Sequence, residues 1–257
     1  MSTIHNKKTL YLRWLLLLSM GSIATAQAAS QQDIQQLRTL SYSVIDNVLV
    51  YHNPQGRPFD NDNAETYRRD LQKLKQLSAQ LGLSKVTAQA EQLEREITGL
   101  QNLPQSASDT RENIPPYSLW LPQVIQQHDL ISTALAELYA EQPVASQAQR
   151  SLHNLSWDIE RLSLSYQLSS FTQLVAQTWM LDDQAVAALD DSIRQRFSDL
   201  PQQHAELTDT LSKLQGRYHF VRGYVVKPGQ TWAPNAVDRY LLGTARELDA
   251  AAGELVP

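Results

Sequence analysis

The chain has 257 residues, a formal net charge of −5 and no cysteine. The missing thiols exclude disulfides, thiolate metal sites, covalent c-type haem and a lipid-modified cysteine, and the acidic balance is not that of a nucleic-acid-binding protein. Glycine and phenylalanine are sparse, Gln, Leu, Ala and Ser abound, and β-rich runs are few, so the chain reads as all-α.

The first 28 residues read as a secretory signal peptide. Lys7, Lys8 and Arg13 form a positive n-region. An apolar run opens at Trp14–Met20 and continues through Ile23, and Ala24-Thr25-Ala26 and Ala26-Gln27-Ala28 are small-x-small cleavage sites. Cleavage is expected after Ala28, with Ala26 as the competing site. Losing three basic and no acidic residues takes the net charge from −5 to −8. No later apolar segment is long enough to span a bilayer. The expected location is the periplasm of a Gram-negative bacterium.

Residues 29–257 then read as one helical domain. A first helix runs from near the cleavage site to His52, with Leu37, Leu40, Val44 and Val48 on its inner face and Ile45 and Leu49 beside them. Asn53-Pro54-Gln55-Gly56 and Pro58 stop it. Asp62, with Glu65 three residues on, is the expected N-cap of a second helix, whose buried stripe is Tyr67, Leu71, Leu74 and Leu81. Its basic residues Arg68, Arg69, Lys73 and Lys75 read as a solvated face, and Gly82 ends it. Ser84 caps a third helix with Val86, Ala90, Leu93, Ile97 and Leu100 inward. The Pro-rich segment 102–116 is a loop and the best internal boundary. A fourth helix runs from about Leu119 to Ala140, with Pro122 near its first turn and Val124, Ile131, Leu135 and Leu138 facing in.

The stretch Ser146–Leu181 reads as the central helix. One apolar row is Leu152, Leu155, Ile159, Leu162 and Tyr166; a second is Leu164, Leu168, Phe171, Val175 and Trp179. The two rows together are wider than the stripe of a surface helix. No charge falls between Leu162 and Leu181, but serines, threonines and glutamines interrupt the run too often for a membrane span. Asp182 or Asp183 caps a sixth helix. There Val186, Leu189, Ile193, Phe197, Leu200, His204, Leu207, Leu211 and Leu214 make a coiled-coil-like seam, and the unbroken phase favours a kink at Pro201 over a stop. After the turn Lys227-Pro228-Gly229, Asn235 reads as the N-cap of a last helix with Val237, Leu241, Leu242, Ala245 and Leu248 inward. The turns before Asn63-Ala64 and Asn235-Ala236 echo one another, which reused turn chemistry explains. The fold expected is an up-and-down antiparallel bundle of about seven helices.

No catalytic motif emerges: there is no Gly-x-Ser-x-Gly elbow, phosphate loop or dinucleotide fingerprint. The histidines His52, His128, His153, His204 and His219 show no metal-ligand spacing, and no cofactor is expected; His204 reads as a packed seam residue. Nothing brings His128 or Met180 into an axial haem pair. The acids Glu91, Glu94, Glu96, Asp182-Asp183 and Asp190-Asp191 read as wet surface. One constellation stands out in so acidic a protein. Arg217, Arg222, Lys227 and Arg239 are interleaved with Tyr218, Phe220, Tyr224, Trp232 and Tyr240, and Asp238 is the one acid among them. Rings beside cations suit stacking on sugars or gripping an anion or an acidic partner. The candidate binding residues are Arg217, Tyr218, Arg222, Tyr224, Lys227, Trp232, Arg239 and Tyr240; the competing reading packs these rings into the bundle end. The function expected is an exported, periplasmic binding or interaction protein, taking an anionic or saccharide ligand or an envelope protein. The alternative is an enzyme with a site between helices.

Overall fold

The computed structural model describes residues 29–53, 56–101, 117–143, 146–171, 179–227 and 232–255. The expected signal peptide 1–28, the expected loop 102–116, Val175 and the expected turn at Pro228-Gly229 lie outside them. Among the described residues there are eight α-helices: α1 (Gln31–His52), α2 (Asn61–Gln80), α3 (Ser84–Gln101), α4 (Tyr117–Glu141), α5 (Gln147–Ser169), α6 (Asp183–Gln203), α7 (Thr208–Val226) and α8 (Pro234–Glu254). The chain is an all-α bundle, and no described helix is long and apolar enough to cross a membrane.

The helices pack as two four-helix bundles side by side. In the first, α1–α2, α2–α3, α3–α4 and α4–α1 are neighbours; in the second, α5–α6, α6–α7, α7–α8 and α8–α5 are; α1 joins the two by packing on α5 and α8. Each bundle has its own core. Leu37, Leu49, Leu74, Leu93 and Ile125 belong to the first, and Ile159, Ile193, Phe197, Leu214 and Leu241 to the second. The cores change over between Tyr139 and Leu152.

The two apolar rows of α5 serve different cores. Leu152, Leu155, Ile159, Leu162 and Tyr166 fill the second, while Leu168 and Phe171 enter the first. The most enclosed helix is α1, not the 146–181 stretch. Seventeen of its 22 residues are buried, because α2, α4, α5 and α8 surround it. The expected long central helix also ends early, at Ser169. The last turn tightens: the Ser170 and Phe171 N–H groups donate to Gln167 O (3.3 Å) and Leu168 O (2.9 Å). Ser169 Oγ donates to Tyr166 O (2.6 Å), and Asn53 Nδ2 donates to Ser170 Oγ (2.9 Å). Serines that compete for backbone groups loosen the helix here and let Phe171 turn into the first core.

Other ends follow local chemistry. Ser30 and Asp33 form a capping box at α1. The cap of α2 is Asp60 rather than Asp62, accepting from the Asp62 N–H at 3.0 Å. Its C-terminus is a Schellman motif: Gly82 N–H donates to Ala79 O and Leu83 N–H to Ser78 O, with Gly82 at φ +71°. A side chain there is strained, so Gly82→Ala is expected to lower stability by about 1–2 kcal/mol, read from denaturant unfolding. Asp182 caps α6, accepting from Ala185 N–H at 2.7 Å.

The expected kink at Pro201 is instead a break. The helix α6 ends at Gln203, Ala205–Leu207 make one 3₁₀ turn, and α7 packs back on α6. Pro201 cannot donate to the residue one turn earlier, which weakens the final turn. The phase carries across the break because both arms of the hairpin face one core, with Phe197 and Tyr218 rings 6.1 Å apart. His204 is the C-cap residue and half-exposed beside Glu206 at 3.5 Å. Asn235 is likewise inside α8, after Pro234 at the first helical position, where the missing N–H costs nothing.

Candidate functional site

The aromatic and basic residues of 217–240 occupy several environments. Tyr218 is buried, and its hydroxyl donates to Asp190 Oδ1 at 2.6 Å. Arg222 grips the same carboxylate with Nε and Nη2, each at 2.7 Å. Burial raises the Asp190 pKa, but hydrogen bonds from Arg222 and Tyr218 and the charges of Arg222 and Arg194 outweigh it and hold it below its ordinary value. Asp190, expected at the surface, is thus a buried hub between α6 and α7. Arg217 pairs with Glu247 at 2.5 Å. Tyr224, Trp232 and Tyr240 are half-buried against the second core. The Trp232 ring lies 5.4 Å from that of Tyr166, whose hydroxyl accepts from Ala233 N–H at 2.8 Å. Phe220, 62% exposed, lies against Tyr240. Lys227 and Arg239 are exposed, and Arg239 faces a cleft on the other side of α8.

That cleft belongs to a groove where the bundles meet. Its floor is α1, and its walls are α2 and α8, which run parallel to each other and antiparallel to α1. The walls are pinned at their N-terminal ends. Asn235 Nδ2 donates to Asn63 Oδ1 (3.2 Å), and Asn63 Nδ2 donates to Asn47 Oδ1 (2.9 Å), an amide chain across all three helices. Gly56 lies against Pro234 so closely that a Cβ would come within 2.6 Å of its ring, so no larger residue fits without movement. Midway, Arg246 Nη2 reaches across to Asp70 Oδ2 (2.9 Å) and Ser43 Oγ (2.6 Å). It divides the groove into a cleft of about 420 Å³ over Asn47 and Asn63 and one of about 470 Å³ over Gln36 and Thr39.

Beneath the groove the seam between bundles is polar. Asp46 of α1, Glu160 of α5, and Asp238 and Asp249 of α8 are all buried there. Ser163 Oγ donates to Asp46 Oδ2 at 2.5 Å, Asn47 Nδ2 to Asp238 Oδ1 at 3.4 Å, and Gln35 Nε2 to Asp249 Oδ1 at 3.1 Å. Thr39 Oγ1 also donates to Asp249. Neither carboxyl oxygen of Glu160 has a hydrogen-bond partner among the described residues. Burial is the main force on all four, because a charge cannot be solvated there. It pushes Asp238 up to about 7 against the opposing charge of Arg246. It lifts Asp46 well above its usual range, helped by Asp238, and lifts Glu160 and Asp249 together, each charge opposing the other. Arg38, also buried, stacks its guanidinium 4.1 Å from the Trp157 ring and 4.9 Å from that of Tyr139.

Three buried histidines are held neutral. His128 Nδ1 bonds Ser41 Oγ (3.0 Å), and His153 bridges the Tyr139 hydroxyl and Gln32 Oε1, both at 2.9 Å. Burial lowers His52, His128 and His153 to about 4, with the charge of Arg38 adding to the effect at His153. No cluster of His, Cys, Asp and Glu suited to a metal ion occurs among the described residues.

Comparison of the chain with protein-family models, curated proteins and solved structures finds no match. Asp238 and Asp249 share a helical row with Leu242 and Ala245, and Ser156, Glu160, Ser163 and Gln167 form a row between the two apolar rows of α5. Charges in register with a core stripe were the available sign of this seam.

Proposed function

We propose that this is an exported, periplasmic, helical binding protein that receives a small polar ligand in the α1–α2–α8 groove. The observation that carries the reading is the convergence of three helices on one polar groove. Asn47, Asn63, Asn235 and three arginines line its first cleft, over a floor of buried carboxyls. Cleft size and a few fixed polar groups suit a small-molecule site. Arg239 links this groove to the aromatic-basic segment, whose Trp232 and Tyr240 brace the wall α8 from its far side.

Gly243 offers the test. It lines the first cleft within α8, and a Cβ there would meet nothing within 4 Å. A leucine closes the cleft without displacing core and improves helix propensity by about 0.8–1 kcal/mol. Native mass spectrometry of protein released gently from an envelope extract is expected to show a small-molecule adduct on the wild type and none on Gly243→Leu. Equal adducts on both proteins count against the groove.

Export rests on the n-region, the apolar core and the small-residue site. The protein from such an extract is expected to begin at Ala29 or Gln27 by intact-mass measurement. An intact Met1 form held in the membrane contradicts export. A second variant separates the aromatic segment from the groove. Trp232→Ala is expected to lower the melting temperature while the folded fraction keeps its adduct, because Trp232 packs on Tyr166 rather than lining either cleft.

A further inference from the structure

The groove gathers five cations of an acidic protein. Arg57 and Arg239 line the first cleft, Arg69 and Lys73 the second, and Arg246 both. Among the described residues Arg57, Arg239 and Lys73 have no carboxylate at ion-pair distance. The facing acids are largely committed. Asp60 caps α2, Asp70 is shared by Arg69 and Arg246 at 2.9 Å each, and Asp238 and Asp249 are buried and shifted toward the neutral form. Asp62 is the remaining carboxylate. The N-termini of α2 and α8 meet at the same end and add their partial positive charge.

The cations stand at two stations. Asn63 pairs with Asn235 across the groove. Lys73 is ten residues beyond Asn63 on α2 and Arg239 four beyond Asn235 on α8, so the two differ in level by six residues. At about 1.5 Å per residue that is roughly 10 Å along the groove. Between the stations Arg246 crosses to Asp70 and Ser43, and the neutral side chains Asn63 and Thr66 of the first cleft and Gln36 of the second both donate and accept hydrogen bonds, as hydroxyl groups require.

We propose that the groove takes an elongated, hydroxylated dianion, one acidic group held between Arg57 and Arg239 and the other beside Arg69 and Lys73. This rests on the groove being the binding site. The shared chemistry is a sugar-like body with two anionic ends, either carboxylates of one charge each or phosphates of about −1.5 to −2 each.

Isothermal titration of the purified protein at low salt tests it, using digalacturonate, fructose 1,6-bisphosphate, galacturonate and neutral maltose as probes. At least one dianion is expected to bind about tenfold tighter than galacturonate, and whichever binds names the acidic group. Arg239→Ala and Lys73→Ala are each expected to cost about tenfold, with unchanged melting temperature because both side chains are exposed and unpaired. Galacturonate binding as tightly as the dianions, no dianion binding at ~1 mM, or either variant binding like wild type overturns the proposal. Maltose bound by the wild type and lost in Gly243→Leu overturns the dianion while the groove stands. A dianion bound equally by Gly243→Leu places binding elsewhere and overturns both.

Discussion

Phe171→Ala is expected to lower the unfolding free energy by about 3–5 kcal/mol, read from denaturant melts. Phe171 follows the last turn of α5 and is 5% exposed, yet it enters the core of the other bundle together with Leu168. Truncation leaves a cavity where the two bundles join, and α1 cannot move to fill it because four helices hold it. Glu91→Ala, on the exposed face of α3, is expected to change stability by no more than about 0.5 kcal/mol. Small and equal effects from both would mean that the end of α5 does not dock on the first bundle.

Stability is expected to rise as pH falls from about 8 to 6.5, the reverse of ordinary acid unfolding. An aspartate unfolds to a pKa near 3.9, whereas Asp238 in the fold stands at about 7. Between those values the folded state holds a proton that the unfolded state lacks. This stabilisation is fully present below the unfolded value and is lost as pH rises through the folded one. Asp46, Glu160 and Asp249 are raised by the same burial and add in the same direction. Each carboxyl contributes up to about 1.4 kcal/mol per pH unit while it takes up its proton.

The buried histidines oppose this only at lower pH. His52, His128 and His153 stand at about 4 in the fold and near 6.5 unfolded. Their contribution is present above 6.5 and is lost as pH falls toward 4. A stability maximum is therefore expected at mildly acidic pH, with the slope flattening below about 6.5 where the two sets compete. Glu160→Gln is expected to raise stability at pH 8 and to reduce the slope, since it removes an ionisable group from a position where burial disfavours its charge. A profile that is flat from pH 8 to 6.5 in both proteins contradicts the neutral seam.

Much of the helix pattern was legible in the apolar spacing. The inner faces of α1, α2, α3 and α8 are those the periodicity marks, and Val86, Ala90, Leu93 and Ile97 are all buried as expected. The two rows of α5 were legible as a wide apolar surface, though not as rows serving separate cores. That distinction needs the partner helices, which one helix's periodicity does not contain. The break after Pro201 was hidden for a related reason, since two arms of a hairpin facing one core keep the phase of a continuous helix.

The groove was the least legible part. The sequence marks Arg239 by its aromatic neighbours, yet it lines a cleft with Arg57 and Asn63, distant in sequence. Arg69 and Lys73 read as a solvated face because nothing in α2 alone places α8 opposite them. The burial of Asp46, Glu160, Asp238 and Asp249 is not legible in the sequence, because charges are expected in water unless paired. The echo between Asn63-Ala64 and Asn235-Ala236 marks the two helix starts that meet at the Asn63–Asn235 hydrogen bond.

The claim that a layer of neutral, buried carboxyls joins the two bundles beneath the groove is tested most directly by a carbon-13 titration of the side-chain carboxyls. Wild type, Asp46→Asn, Glu160→Gln, Asp238→Asn and Asp249→Asn together assign the four resonances. The account predicts that Asp46, Glu160, Asp238 and Asp249 keep the chemical shift of the protonated acid at pH 5.5, about 1.5 units above the ordinary carboxylate range. Four seam carboxyls that ionise near pH 4, as ordinary carboxylic acids do, would contradict it.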